Sequence, residues 1–180
     1  RLATDHYHYV EDGGCTYHSR YSSWSCYRGQ ESDNWVADLA PTPTEFAPNQ
    51  LSPEGATGTL REMRRHGGWQ NMHNRERLHS EEDFPMSKTF EDGIDFLNRN
   101  GRYDNWFLQI ETFDPHEPFT SPTSHFDPDC ATQPDWPPYA DVTEGPEEIE
   151  AIRTKYEASV RFCDRQLGRV LDLMDELDLW

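Results

Sequence analysis

The longest regular pattern lies at the end of the chain, where Ile149, Ile152, Tyr156, Val160, Cys163, Leu167, Val170, Leu171, Met174 and Leu177 recur at three- and four-residue steps. That spacing puts an apolar stripe along one side of a helix and predicts one over about 146–178. Pro146 suits its first turn, where a missing N–H costs nothing, and Glu147 and Glu148 favour the positive helix end. A second helix is expected from Thr89, an N-cap with Asp92 at the capping-box distance; Phe90, Ile94 and Leu97 share one face and Gly101 ends it. It leads into Trp106, Phe107, Leu108 and Ile110, a run that predicts a strand over 105–112 covered on both faces. Residues 1–10 read as the end of another strand emerging into a loop. Residues 11–35 mix glycines, serines and aromatics without a period, as an aromatic-packed loop or hairpin does. Proline-rich connections span 36–58 and 120–146, a short helix is expected over Thr59–Arg65, and the polar stretch 66–84 has no clear period. A helix feeding a buried strand is the α-to-β step of a three-layer α/β domain.

Composition narrows the reading. Only 34% of the 180 residues are hydrophobic and the mean hydropathy is -0.98, a thin core for an independent globule. The 9 Phe, 8 Tyr and 6 Trp nevertheless argue for a packed structure, because disordered segments are aromatic-poor. With 34 acidic against 16 basic residues, the net charge of -18 speaks against nucleic acid or an anionic membrane as partner. No apolar run approaches the roughly 18 residues of a membrane span. Four irregularly spaced cysteines do not compel a disulfide framework and leave the compartment open.

The candidate chemistry concentrates after the 105–112 strand. Ligands in open α/β sheets sit beyond the carboxyl ends of the strands. There Pro115 and Pro118 restrict the backbone on either side of His116, whose imidazole, near its unperturbed pKa of about 6.5, suits proton transfer at neutral pH. Asp114 or Glu117 could orient that ring or face water. His6 and His8 follow the first strand. Arg28 and Glu31, with Trp24 nearby, could line a substrate's alcohol side, Arg28 as a fork for a second anionic group; the plainer reading is an arginine–carboxylate pair pinning a loop.

Three blocks in order resemble the sulfatase family of the alkaline-phosphatase-like superfamily. Phe107–Phe119 resembles its strand ending in a "DPHxPF"-type loop, Thr4–Tyr9 stands where members carry a Gly-Lys-Trp-His motif, and Lys155–Leu171 looks like its "YxAxVxxxDxxxGRVL" helix. The resemblance implies a single partial sulfatase domain over 1–180, truncated at both ends, within a three-layer sandwich around a central mixed sheet. It implies that His116 contacts the sulfate oxygens and helps protonate the leaving group. His8 would bond the hydrated formylglycine, and His6 falls at the family's lysine position. The family's Cys/Ser-x-Pro-x-Arg sequence is absent around Cys15, Cys26, Cys130 and Cys163, as are its paired metal-binding aspartates. The formylglycine nucleophile and a calcium or magnesium ion are therefore expected from residues outside this chain, with a small-molecule or carbohydrate sulfate ester as substrate. A phosphodiesterase or phosphonate monoester hydrolase of the same superfamily is the alternative. Two readings of other kinds remain: zinc bound by His6, His8, Cys15, His18 and Cys26, and a non-catalytic acidic interaction domain.

Overall fold

A computed structural model describes residues 1–10, 17–37, 39, 68–122, 125 and 146–180. Its centre is a three-stranded sheet of β1 (Leu2–Thr4), β2 (Trp24–Cys26) and β3 (Gln109–Glu111), in the order β2-β1-β3. Leu2, Ala3 and Thr4 are all fully buried, the pattern of a central strand covered on both faces. Ala3 lies opposite Ser25 on one side and Ile110 on the other, and both pairings are parallel. The described chain is thus α/β, but its sheet is parallel where a mixed one is expected. A parallel β2 also excludes a simple hairpin between β1 and β2. Its three residues, Trp-Ser-Cys, are too few to show an alternation in sequence.

β3 is shorter than the apolar run that precedes it. Asn105 adopts a left-handed backbone (φ 66°), and Trp106 and Phe107 are 37% and 66% exposed rather than buried in the sheet. Trp106 instead donates its indole N–H to the Tyr103 carbonyl and meets Phe96 edge-on, so its aromatic surface covers a helix end. The residues that pair are Gln109, Ile110 and Glu111, whose polar side chains bond Tyr21 and Tyr9 across the sheet.

Three helices complete the described fold: α1 (Gly68–Arg75), α2 (Pro85–Asn100) and α3 (Pro146–Glu176). Helix α2 begins four residues before the expected Thr89 N-cap. Pro85 fits its first position, and the capping box lies upstream, between Ser80 and Asp83 of a 3₁₀ turn. Thr89 is instead buried inside the helix, and Asp92 accepts from Arg1 (2.7 Å) and Tyr27 (3.0 Å), pinning α2 to the sheet. Helix α1 lies in the stretch whose sequence shows no clear period. The Pro-rich connections 36–58 and 120–146, apart from 36, 37, 39, 120–122, 125 and 146, and the short helix expected over Thr59–Arg65 fall outside the described residues.

Helix α2 packs on the sheet and α3 packs on α2, around Phe84, Met86, Phe90, Leu97, Phe162 and Val170. The long helix agrees with expectation in extent but presents a different face. Ala151, Ala158, Phe162 and Val170 are buried, whereas Ile149, Tyr156, Val160, Leu167 and Leu171 are 37–48% exposed. Alanines on the buried side escape a pattern search keyed to large apolar residues.

Glycine marks one close approach. A Cβ on Gly93 of α2 would stand 2.3 Å from Ile110 Cδ1 and 2.6 Å from its Cγ1, whereas nothing lies within 4 Å of the same position on Gly168. The close approach that a helix glycine permits is therefore made by Gly93 of α2 against β3, and not at Gly168 of α3. Gly93→Ala is expected to lose about 1–2 kcal/mol through overpacking, and Gly168→Ala to gain up to about 1 kcal/mol from helix propensity. Urea denaturation of both variants checks the contrast; equal effects would remove the steric account.

Candidate functional site

Because the three strands are parallel, their carboxyl ends open on the same side of the sheet and deliver three loops to one place. β1 runs into Asp5, His6 and a 3₁₀ turn at Tyr7–Tyr9; β2 runs into Tyr27–Asp33; β3 runs into Thr112–Phe119. A buried polar hub ties these loops together. The Gln30 side-chain amide donates to Asp5 Oδ2 (2.8 Å) and to Asp114 Oδ2 (2.7 Å), while the Phe113 N–H (2.6 Å) and the Thr112 hydroxyl (3.2 Å) donate to Asp5. Asp5, Gln30 and Asp114 are all within 7% of complete burial. Burial pushes the Asp114 carboxyl up to about 8, with the charge of Asp5 adding to the rise. Asp5 is pushed up to about 6 by burial, the donated hydrogen bonds holding it lower.

Over this hub sits the ring of Phe113, with histidines from two loops around it. Ring centroids of His116, His6 and His8 lie 4.3, 5.0 and 5.9 Å from Phe113, and His6 and His8 are 5.3 Å apart. The imidazoles at 8 and 116, far apart in sequence, thus converge at the rim of one sheet. His116 is about one-third exposed; its Nδ1 donates to the Glu117 carbonyl (2.9 Å), which leaves Nε2 to face a ligand. The peptide bonds before Pro115 and Pro118 are both cis.

Glu31 completes the group. It is 5% exposed, holds a left-handed backbone (φ 42°) and accepts from the Tyr7 hydroxyl at 3.0 Å. Burial raises its carboxyl, against the pull of the Tyr7 bond and of His116 and His8, while Glu117 adds to the rise. Helix α1 braces this loop from behind: the Asn74 amide donates to the carbonyls of Asp33 (2.8 Å) and Glu31 (3.3 Å).

No family model, curated protein or solved structure matches this chain. What the site can do rests on its own geometry. His6, His8 and His116 come together as a half-exposed imidazole cluster. Arg28 is held elsewhere, since its Nε donates to both Asp33 oxygens (3.0 and 2.7 Å) and its Nη2 to Asp33 and the Asn34 carbonyl. The loop-pinning pair, not a fork offered to substrate, is the arrangement present. Asp33 is 2% exposed and also accepts from the Gly29 N–H (2.9 Å), so the pair fixes the turn that carries Gln30 and Glu31.

The sheet end does not fit a calcium or magnesium ion. Three hydrogen-bond donors already occupy Asp5 and Gln30 occupies one oxygen of Asp114, and among the described residues no three His, Cys, Asp or Glu side chains are grouped to hold a metal. For the zinc reading, Cys15 lies outside the described residues, His18 packs against Trp24 (4.3 Å), and burial pushes the Cys26 thiol up to about 11, away from the thiolate that zinc takes. A cavity of about 670 Å³ lined by Arg1, Arg20, Tyr21, Trp106 and Phe107 opens at the opposite, amino end of the strands and shares no lining residue with the cluster.

Sequence reading finds the histidines but misses the roles of Asp5, Gln30 and Phe113. The available signal was position, since each directly follows a strand or lies within four residues of one.

Proposed function

We propose that this chain supplies the anion-receiving part of a sulfatase-type hydrolase, in which His8 and His116 hold the oxygens of a sulfate ester and His116 serves the leaving group. The observation that carries this reading is the convergence of His8 and His116 on the Phe113 ring, 5.9 and 4.3 Å away, at the carboxyl end of a parallel sheet. When protonated, the two imidazoles would be the positive groups of a half-buried rim inside a chain of net charge -18. With Nδ1 tied to the Glu117 carbonyl, His116 presents Nε2–H as the acid for a departing alkoxide. His6, stacked on Tyr9 at 5.1 Å, lies close enough to add a donor to the same anion.

In this reading the three strands belong to a larger central sheet of an alkaline-phosphatase-like sandwich, completed by residues outside 1–180. Formylglycine and a divalent ion, which would supply the nucleophile and neutralise charge on the transferring group, would likewise be held by residues outside 1–180.

Titration of the chain with phenyl sulfate, followed through the histidine side-chain NMR signals, tests the proposal. The signals of His8 and His116 are expected to shift together. Loss of one charge-assisted hydrogen bond, on the order of 1.5 kcal/mol or more, should weaken binding about tenfold in His116→Ala and in His8→Ala. Binding that is indifferent to both substitutions would refute the reading.

A further inference from the structure

We propose that Glu31 sets the charge preference of this pocket, so that it admits singly charged esters and rejects doubly charged ones; the inference rests on the anion-site reading above. Glu31 is not a surface acid that happens to lie nearby. It is buried to 5% exposure on a left-handed backbone that non-glycine residues seldom adopt, and the loop is built to keep it there. The Arg28–Asp33 pair closes the turn, Gln30 anchors it to Asp5 and Asp114, Asn74 holds the Glu31 carbonyl, and Tyr7 holds its carboxyl group. So many constraints on a glutamate beside two candidate anion-binding histidines call for a role in what those histidines bind.

The local charge balance indicates the role. The groups acting on Glu31 are Tyr7 and His8 from the turn after β1, and His116 and Glu117 from the loop after β3. Arg28 and Asp33, on its own loop, neutralise one another. With His8 and His116 protonated, His6 neutral and both glutamates ionised, the two positive charges are matched by two negative ones among the described residues. The Asp5–Asp114 hub behind them contributes no positive charge. A monoanion meets a nearly neutral pocket rich in N–H donors, whereas a dianion brings one charge more than the site can offset. Interaction with a fixed charge scales with the ligand's own charge, so Glu31 opposes a dianion twice as strongly as a monoanion in free energy. Sulfate monoesters and phosphate or phosphonate esters with one ionised oxygen fall in the admitted class; phosphate monoesters, dianionic above their second pKa of about 6, do not.

The test compares phenyl sulfate with phenyl phosphate at about pH 6.5, where the phosphate is mostly dianionic and imidazoles still carry charge, by NMR titration of the wild-type chain and of Glu31→Gln, which keeps an acceptor for Tyr7. The wild type is expected to bind phenyl sulfate about tenfold or more tightly than phenyl phosphate. In Glu31→Gln, phenyl phosphate should tighten about tenfold and phenyl sulfate only about threefold, the ratio expected when one ligand carries twice the charge of the other. Equal changes for the two ligands, or none, would overturn the role of Glu31 while leaving the anion site standing. If the variant does not fold, the wild-type comparison decides alone, because tighter binding of the dianion contradicts the proposal. Failure of both ligands to shift His8 and His116 removes the anion site and the inference with it.

Discussion

Phe162→Ala is expected to cost about 3–5 kcal/mol of folding free energy, the range for deleting a fully buried aromatic side chain. Phe162 is completely inaccessible and is the largest fully buried side chain among the described residues. It stands edge-on to Phe84 at 5.8 Å and beside His125 at 5.0 Å, and shares a cluster with Met86, Phe90 and Leu97 of α2. With only 34% hydrophobic residues the chain has few other groups to take over that volume, so the cavity should collapse poorly. Because Ile149, Tyr156, Val160, Leu167 and Leu171 of α3 lie on its exposed side, its attachment rests on Phe162 and Val170, with Cys163, Leu173 and Met174 packed beside them. The variant should therefore lose α3 packing first, seen as amide exchange across Pro146–Glu176 at denaturant concentrations that leave α2 protected. A loss below about 1 kcal/mol in urea denaturation would show that α3 is held by something else.

The second large effect is a pH dependence that originates in the Asp5–Gln30–Asp114 hub. Both carboxyls have folded values above the ordinary 3.8, about 6 for Asp5 and about 8 for Asp114, chiefly because burial disfavours their ionised forms. Between roughly pH 4 and 8 the folded state thus binds more protons than the unfolded chain. Stability due to this pair is complete below the unfolded value and falls as pH rises through 6 and then 8. A loss on the order of 2 kcal/mol between pH 5 and pH 9 is expected, or several degrees in Tm for a chain of 180 residues. Asp114→Asn keeps an oxygen to accept from Gln30 but cannot ionise, so it should flatten this fall and be the more stable protein at pH 9. Asp92 moves the other way: its bonds from Arg1, Ser25 and Tyr27 outweigh burial and lower its carboxyl, so its contribution is lost only at more acid pH. Thermal melts of both proteins from pH 5 to 9 check the expectation, and parallel curves would exclude the hub as the titrating element.

The hub also explains why the site was only partly legible in sequence. His116 announces itself by two flanking prolines, and His8 by its place after a strand. Asp5 and Gln30 have no such mark, because what makes them matter is their meeting with Asp114, a residue more than eighty positions beyond Gln30. Arg28 shows the reverse case: its sequence neighbours allow both a substrate fork and a loop clamp, and only the position of Asp33 chooses the clamp. Likewise, Thr89 and Asp92 have the residue types and spacing of a capping box, yet Pro85 starts the helix earlier and frees Asp92 to reach Arg1.

By itself the amino-acid sequence determined the elements with long-range regularity or strong local chemistry: the helix through Pro146–Glu176, the end of α2 at Gly101, the strand ahead of the Pro-His-Glu-Pro loop, and the acidic surface. These depend on periodicity, composition and backbone restriction, which are properties of neighbouring residues. Tertiary structure alone decided that β2 is a strand, that Phe107 faces solvent, that α3 buries its alanine and Phe162 side, and that Asp5, Gln30, Glu31 and Asp114 surround the histidines. Each of these follows from which distant surfaces meet, and the free energy of such contacts depends on partners that no local stretch of sequence specifies.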